Sequence, residues 1–127
     1  ALAAGAALAC PDRRVINVEA DGSAMYTLQA LWTQAREGSD VTTVILNNGS
    51  YAVLTMELAR VGADDAGPRA SEMLDISGPR LDFVALAGGM GVPATRATTA
   101  EEFTEQLARA LAADGPTVIE AMVPAGL

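Results

Sequence analysis

The sequence predicts an α/β fold of three layers, in which helices cover both faces of a parallel sheet. Three observations lead to this prediction. Short apolar stretches rich in β-branched residues recur along the chain, as is typical of strands buried on both faces. Stretches with apolar residues at helical spacing lie between them. Glycine and proline punctuate the boundaries, and such alternation favours parallel strands joined by helical crossovers.

In the first half of the chain, predicted helices alternate with two predicted strands. The elements are, in order, helix 1–10, strand 14–20, helix 24–37, strand 41–46 and helix 51–60. Both strands are apolar and β-branched, and the second and third helices carry apolar residues on one face. Trp32 lies on such a face and is expected to pack in the core. Pro11 and Gly38 end the first two helices.

The second half begins with a predicted long surface loop over 62–79, where aspartate, glycine, proline and serine are frequent. The later predicted elements are helix 81–87, strand 92–98, a helix after Thr99 and strand 117–123. Thr99 and Glu102 have the spacing of a capping box, in which each side chain satisfies a backbone N–H at the helix start. Phe103 is expected to pack in the core.

Composition excludes several functions. The formal net charge is −8 and only 8 lysines and arginines are present, which argues against nucleic-acid binding and against anionic membrane surfaces. The chain has no histidine, which excludes Ser-His-Asp and Cys-His catalysis and most catalytic zinc sites within it. Any chemistry therefore depends on a cofactor or a partner domain. At 127 residues, a single domain is expected.

The N-terminal run ALAAGAALAC leaves two interpretations open. An apolar run that ends in Cys10 suggests a lipoprotein signal, but the run is short and lacks a basic start. A helix cut from a longer polypeptide is the favoured interpretation, and no stretch reaches the roughly 18 apolar residues of a membrane span. A cytoplasmic location is expected. With one cysteine, no intrachain disulfide can form.

Polar turns follow the first two predicted strands. Asp21 lies in the first turn and Asn48 in the second. A crossover brings the carboxyl ends of parallel strands to one edge of the sheet, where α/β proteins bind ligands. The Asp21 carboxylate, the Asn48 amide oxygen and the Ser50 carbonyl are hard oxygen ligands of the kind Mg²⁺ takes, with phosphate oxygens completing the set.

The first turn also has features suited to a phosphate. Gly22 lets the backbone approach a ligand closely, and the N–H groups of Ser23 and Ala24 open the following helix. Taken singly, however, Asp-Gly-Ser is most often an ordinary turn and helix cap, and Asn-Asn-Gly is most often a tight turn. The residues alone therefore leave both interpretations open.

A longer resemblance bears on this choice. The sequences DGSAMYTLQALWTQARE and VILNNGSYAVL resemble the C-terminal diphosphate-binding domain of thiamine diphosphate-dependent enzymes, in the branch of acetolactate synthase large subunits and benzoylformate decarboxylases. The resemblance continues through LDFVALAGGMGV and GPTVIEA, so it covers nearly the whole chain. It implies the thiamine diphosphate-binding fold and a domain of a 2-oxo acid decarboxylase or carboligase, that is, of a lyase or transferase.

The resemblance also implies roles for particular residues. Asp21, Asn48 and the Ser50 carbonyl would ligate Mg²⁺. The residues expected to contact the cofactor are Ala20, Asp21, Gly22, Ser23, Ala24, Asn48, Ser50, Tyr51 and Ala52. Among these, Ala52 would open a helix near the thiazolium. No residue of this chain is expected to act as a catalytic group.

The chain departs from the family pattern in two ways. Ala20 stands where the family has the first glycine of its motif, and its methyl group could crowd the diphosphate. The family's glycine-rich loop against the aminopyrimidine would precede Ala1, so residues 1–127 are expected to be a single diphosphate- and Mg²⁺-binding domain, N-terminally truncated relative to the family. The isolated chain is expected to be inactive.

Partners follow from the same resemblance. In this family the cofactor lies between two subunits, which implies a homo-oligomer, the pyrimidine-binding domain of a partner subunit and a small 2-oxo acid substrate. Two alternatives stay open. One is a diverged or truncated non-catalytic domain that acts as an assembly partner. The other is a flavodoxin-like or Rossmann nucleotide binder.

Overall fold

A computed structural model describes residues 1–63 and 67–125. The elements in chain order are α1 (Leu2–Ala9), β1 (Val15–Ala20), α2 (Asp21–Thr27), α3 (Ala30–Glu37), β2 (Val41–Asn47), α4 (Ala52–Arg60), α5 (Pro68–Leu74), α6 (Phe83–Gly89), β3 (Ala94–Ala97), α7 (Ala100–Ala112) and β4 (Thr117–Met122). The strands form one parallel sheet in the order β1-β2-β4-β3. The predicted α/β class with a parallel sheet is confirmed.

Helices pack on both faces of this sheet. On one face, Ile45 of β2 and Val118 of β4 form a core with Leu31 of α3 and Phe83 of α6. On the other face, Ile119 packs against α7. Burying a large apolar side chain contributes roughly 1.5–3 kcal/mol relative to leaving it exposed. The two faces of the central strands therefore supply much of the driving force that holds the helices to the sheet.

The predicted helix over 24–37 is two helices in the structure. α2 begins at Asp21, directly after β1, and α3 begins at Ala30. Leu31 and Gln34 of α3 are buried, and Leu31 packs in the core with Ile45. Trp32 lies one position further round and is 53% exposed, with the Arg36 guanidinium 5.0 Å from its ring centroid. The prediction that Trp32 packs in the core is therefore wrong.

The predicted loop over 62–79 contains a helix. Gly67 has a φ of +87°, and Pro68 then begins α5, where its missing N–H leaves no helical bond unmade. The helix has no buried residues, so no apolar stripe marks it in the sequence. Asp64, Asp65 and Ala66, which this prediction also covered, lie outside the described residues.

The capping box before α7 forms with one difference. The Thr99 hydroxyl accepts a hydrogen bond from the Glu102 N–H at 3.1 Å, as predicted. The Glu102 carboxylate accepts from the Thr98 N–H at 2.7 Å and from the Thr98 hydroxyl at 2.9 Å. These hydrogen bonds lower the pKa of Glu102. Phe103 of α7 packs against the buried cluster of Ala97, Ala110 and Ile119, as expected.

The remaining element boundaries shift by one or two residues from their predicted positions, as helix and strand ends commonly do. Cys10 is exposed and free. In the part of the chain that the structure describes, no helix combines the length and the hydropathy that a membrane crossing requires.

Candidate functional site

The carboxyl ends of β1 and β2 lie side by side. Ala20 pairs with Leu46 at the end of the two strands, so the chain leaves both strands at the same edge of the sheet. Asp21 and Asn48 follow directly. Both line one cavity of about 220 Å³, together with Gly49 and Met122. The topology therefore brings together the two side chains on which the predicted metal site depends.

Asp21 is buried, with 1% of its surface exposed. Its Oδ1 accepts from the Gly22 N–H at 2.9 Å, and its Oδ2 accepts from the Gly49 N–H at 2.7 Å. Among residues 1–63 and 67–125, no lysine or arginine forms a salt bridge with it. A buried carboxylate without a cation costs several kcal/mol of desolvation that N–H groups offset only in part. A cation at this position would offset the rest.

The second turn is held by its own side chains. The Asn48 Oδ1 accepts from the Ser50 N–H at 3.0 Å, which leaves one of its two lone pairs for another partner. Gly49 has a φ of +68°, a conformation that strains other residues, and a Cβ there would stand 3.3 Å from the Ser77 Cβ. The Gly49 N–H, which donates to the Asp21 carboxylate, also donates a hydrogen bond to the Asn47 Oδ1 at 3.1 Å.

A segment from the predicted loop ties down this turn. The Tyr51 N–H donates to the Leu74 carbonyl at 2.8 Å, and the Ile76 N–H donates to the Gly49 carbonyl at 3.0 Å. Ser50 and Asp75 form an isolated antiparallel bridge between them. Behind the bridge, a cavity of about 450 Å³ extends from Asn48 and Ser50 to α4 and α5. The sequence did not predict the pairing of Ser50 with Asp75, because no local sequence pattern indicates an isolated bridge between two distant residues.

The start of α2 is closely packed against the second turn. A Cβ on Gly22 would lie 2.4 Å from Cε1 and 2.6 Å from Cδ1 of Tyr51, so the ring rests against the bare glycine. Ala24 is buried and Ser23 is exposed in the same first turn of the helix. Ala52 is half-buried at the start of α4, next to Tyr51. The predicted cofactor residues therefore come from the starts of two helices and the ends of two strands.

The comparison with protein families decides what kind of domain this is. Residues 1–121 match the family described as "Thiamine pyrophosphate enzyme, C-terminal TPP binding domain". The chain belongs to this family. Thiamine pyrophosphate (TPP) is another name for thiamine diphosphate, so the resemblance found in the sequence is confirmed.

This TPP-binding domain is similar in sequence to parts of longer proteins. The chain is 59% identical over 123 residues to the "Putative acetolactate synthase large subunit IlvX" of Mycobacterium tuberculosis, covering 96% of this chain and 24% of that protein. It is 43% identical over 118 residues to benzoylformate decarboxylase of Pseudomonas aeruginosa, covering 93% of this chain and 21% of that protein. The chain thus spans about a quarter or less of the length of these relatives.

Solved structures show the same similarity. The thiamine diphosphate-dependent 4-hydroxybenzoylformate decarboxylase of Rhodococcus jostii RHA1 matches with a TM-score of 0.86 at 44% identity, covering 96% of this chain and 22% of that one. Benzoylformate decarboxylase of Polynucleobacter necessarius matches with a TM-score of 0.84 at 25% identity, covering 99% and 22%. The chain therefore has the sequence and the fold of the TPP-binding C-terminal domains found in these relatives.

The donor set of this TPP-binding domain can be tested against a metal. In the described part of the chain, no group of three or more histidine, cysteine, aspartate or glutamate side chains could hold a metal ion. A protein cage of such ligands is therefore not what these residues offer. They offer one carboxylate, one amide oxygen and backbone carbonyls, which suits Mg²⁺ when phosphate oxygens complete its coordination. The residues present fit a magnesium diphosphate.

Ala20 raises a second question of fit. Its φ of −82° and ψ of 156° lie in the extended region, which any L-amino acid adopts without strain. Its side chain is exposed. The backbone at this position therefore does not require the glycine that the family motif carries there.

Proposed function

We propose that this chain is the diphosphate- and Mg²⁺-binding domain of a 2-oxo acid decarboxylase or carboligase of the acetolactate synthase and benzoylformate decarboxylase type. The observation that carries the proposal is the buried Asp21 carboxylate, which lines a cavity at the strand ends and forms no salt bridge within the described residues. Membership of the TPP-binding family supports the diphosphate, and the hard oxygen donors support the metal.

In this proposal, three residues of the chain hold the metal. Asp21 contributes a carboxylate oxygen, Asn48 its amide oxygen and Ser50 its backbone carbonyl. Each Asp21 oxygen accepts a single N–H hydrogen bond and keeps a further lone pair. The two hydrogen bonds fix the carboxylate in advance, so little side-chain entropy is lost when a cation binds.

The diphosphate would lie along the start of α2. Gly22, Ser23 and Ala24 lie in the first turn of the helix, where the helix dipole favours negative charge and the Ser23 N–H has no partner four residues before it in the helix. Ala20 and Asp21 border this position, and Tyr51 and Ala52 border it from the start of α4. When bound, thiamine diphosphate supplies the carbanion chemistry through which a 2-oxo acid loses CO₂. The part of this chain is to bind and orient that cofactor.

The rest of the enzyme is also part of the proposal. We assign no catalytic group to residues 1–127 and treat them as a single diphosphate- and Mg²⁺-binding domain of the family. A pyrimidine-binding domain of a partner subunit would complete the site, which implies a homo-oligomer acting on a small 2-oxo acid. The relatives' own names include both a synthase and decarboxylases, so both carboligation and decarboxylation lie within the proposal.

Ala20 is one of the two reasons for the alternative of a non-catalytic assembly domain, the other being that the family's second cofactor-binding domain is not within residues 1–127. Because the Ala20 backbone is unstrained in the extended region, the substitution of the motif glycine is not by itself a reason to expect lost cofactor binding. The geometry therefore favours the cofactor-binding proposal.

Calorimetric titration of the full-length protein with thiamine diphosphate, with and without Mg²⁺, tests the proposal. We expect Mg²⁺-dependent binding that Asp21→Ala weakens by at least about tenfold, equivalent to about 1.4 kcal/mol. Asp40→Ala is the matched control, because Asp40 precedes β2 at the opposite edge of the sheet and pairs with Arg14. Binding that Asp21→Ala leaves unchanged would refute the metal assignment.

A further inference from the structure

A buried carboxylate on β4 lies next to the site without being part of it. Glu120 has 0% of its surface exposed. Its Oε2 accepts from Nε of Arg96 at 2.8 Å, and its Oε1 accepts from Nδ2 of Asn47 at 2.7 Å. Arg96 is its register partner on β3, while Asn47 lies on β2 on the other side. Glu120 thus connects three strands within one face of the sheet.

Arg96 anchors this connection. Its second hydrogen bond goes from Nη2 to Oδ1 of Asp82 at 2.8 Å, and Asp82 caps α6 by accepting from the Ala85 N–H. The hydrogen bond that Arg96 donates to the Glu120 carboxylate raises the pKa of Arg96. Because one buried carboxylate oxygen pairs with a cation and the other with an amide, Glu120 has the partners that a buried charge requires.

The chemistry of Glu120 fixes the orientation of Asn47. An ionised carboxylate can only accept hydrogen bonds, so the amide must turn its NH₂ toward Glu120. The Asn47 Oδ1 then faces the other way, toward the Gly49 N–H at 3.1 Å. That same N–H donates to Asp21 Oδ2 at 2.7 Å. A hydrogen-bond chain therefore runs from Arg96 to Asp21.

We infer that Glu120 is a positioning residue for the cofactor turn, which acts through Asn47 to hold the Gly49 N–H against Asp21. What the turn binds rests on the proposed function above. The positioning itself rests on the hydrogen bonds alone. Groups that orient metal ligands from behind typically change metal affinity by about 10- to 100-fold when they are removed.

The inference makes a prediction about polarity that packing alone does not make. In Glu120→Gln, the amide oxygen can still accept from Arg96, but its NH₂ then faces the Asn47 NH₂. Turning Asn47 over relieves that conflict and instead sets its NH₂ against the Gly49 N–H. Either arrangement leaves two donors facing each other, so the network that holds the turn loses a hydrogen bond.

A second substitution restores every bond. In Glu120→Gln/Asn47→Asp, the new aspartate accepts from the glutamine NH₂ with one oxygen and from the Gly49 N–H with the other. The glutamine oxygen still accepts from Arg96, and the net charge is that of the original protein. Thr43→Val is the matched control, because Thr43 lies on β2, is 3% exposed, and its hydroxyl has no hydrogen-bond partner in the described structure.

The experiment measures the full-length protein in two ways. Amide hydrogen exchange without cofactor compares Gly49 with Val44 in the middle of β2, and calorimetry gives the thiamine diphosphate affinity in Mg²⁺. We expect Glu120→Gln to speed exchange at Gly49 by at least about tenfold more than at Val44 and to weaken affinity by about 10- to 100-fold. The double variant should recover both values to within about threefold, and Thr43→Val should change neither by more than that.

Three results would overturn the inference. The first is Glu120→Gln with original affinity and Gly49 exchange. The second is exchange that rises equally at Gly49 and Val44, as a general loss of stability would produce. The third is a double variant that recovers neither value, and this comparison still decides if the single variant does not fold. If the original protein binds no thiamine diphosphate, the proposed function fails, while the Gly49 exchange rates still test the positioning.

Discussion

Replacing Gly22 with alanine should force the Tyr51 ring away from the start of α2. The added Cβ would stand 2.4 Å from Cε1 and 2.6 Å from Cδ1 of that ring, closer than non-bonded carbon atoms approach each other. Gly22 does not have a positive φ, so the contact with Tyr51, rather than backbone strain, opposes a side chain there. The substitution therefore isolates one packing interaction between the two turns.

The cost follows from how the ring is held. Tyr51 is half-buried, and its N–H donates to the Leu74 carbonyl at 2.8 Å, so its backbone is held beside the bridge at Ser50 and the ring itself has to move. Overpacking of this kind costs about 1–3 kcal/mol. Equilibrium urea unfolding measures this cost as a lower midpoint with an unchanged slope.

Two further variants make the reasoning refutable. Gly5→Ala in α1 adds a methyl group with no other atom within 4 Å, and should stabilise the protein by about 0.5–1 kcal/mol. In Gly22→Ala/Tyr51→Ala the ring is gone, so the two substitutions should cost less together than the sum of their separate costs. If Gly22→Ala unfolds at the original midpoint, or if the costs simply add, the ring does not pack on Gly22.

Three other outcomes are expected. Ala20→Gly should lower the free energy of unfolding by about 0.4–1 kcal/mol, because glycine gains freedom in the unfolded chain, and should change thiamine diphosphate affinity less than about threefold; a large gain in affinity would show that the methyl group obstructs the diphosphate. Because the pKa of Glu102 is lowered in the folded state, its carboxylate stabilises the protein at pH values above the ordinary pKa of 4.5, and this stabilisation is lost as the pH falls through the folded-state pKa. In Glu102→Gln, the unfolding midpoint should therefore depend less on pH in that acidic range, and an unchanged pH profile would contradict this. Iodide should quench Trp32 fluorescence readily, because the indole is 53% exposed, whereas a shielded emission would contradict its position on α3.

Local patterns were sufficient to predict much of the fold. β1, β2 and β4 are short stretches rich in β-branched residues, a composition that burial on both faces favours in β2 (Val41–Asn47). The parallel sheet follows from helices that alternate with such strands. The two errors concern helices whose apolar residues do not mark the buried side. Trp32 is next to the buried Leu31 in the sequence but lies on the exposed side of α3, and α5 buries none of its residues.

Some features of the candidate site could be predicted from the sequence and others could not. Asp21 and Asn48 could be found because each directly follows a strand, and the parallel topology then brings the two turns to one edge. The bridge from Ser50 to Asp75 and the contact of Glu120 with Asn47 could not be found. Both join residues that are distant in sequence, and they depend on register and on side-chain direction, which a single sequence does not reveal. The assignment of Asp21 and Asn48 as ligands of the metal and cofactor stays a prediction.

The central claim is that Asp21 and Asn48 hold a divalent metal together with the diphosphate of the cofactor. Crystals of the full-length protein grown with thiamine diphosphate and Mn²⁺ in place of Mg²⁺ test it most directly, because an anomalous difference map locates the metal. We predict one strong peak within about 2.5 Å of the Asp21 carboxylate and the Asn48 amide oxygen, adjoining the diphosphate. A diphosphate bound without a peak at Asp21, or a peak elsewhere in the domain, would contradict the claim.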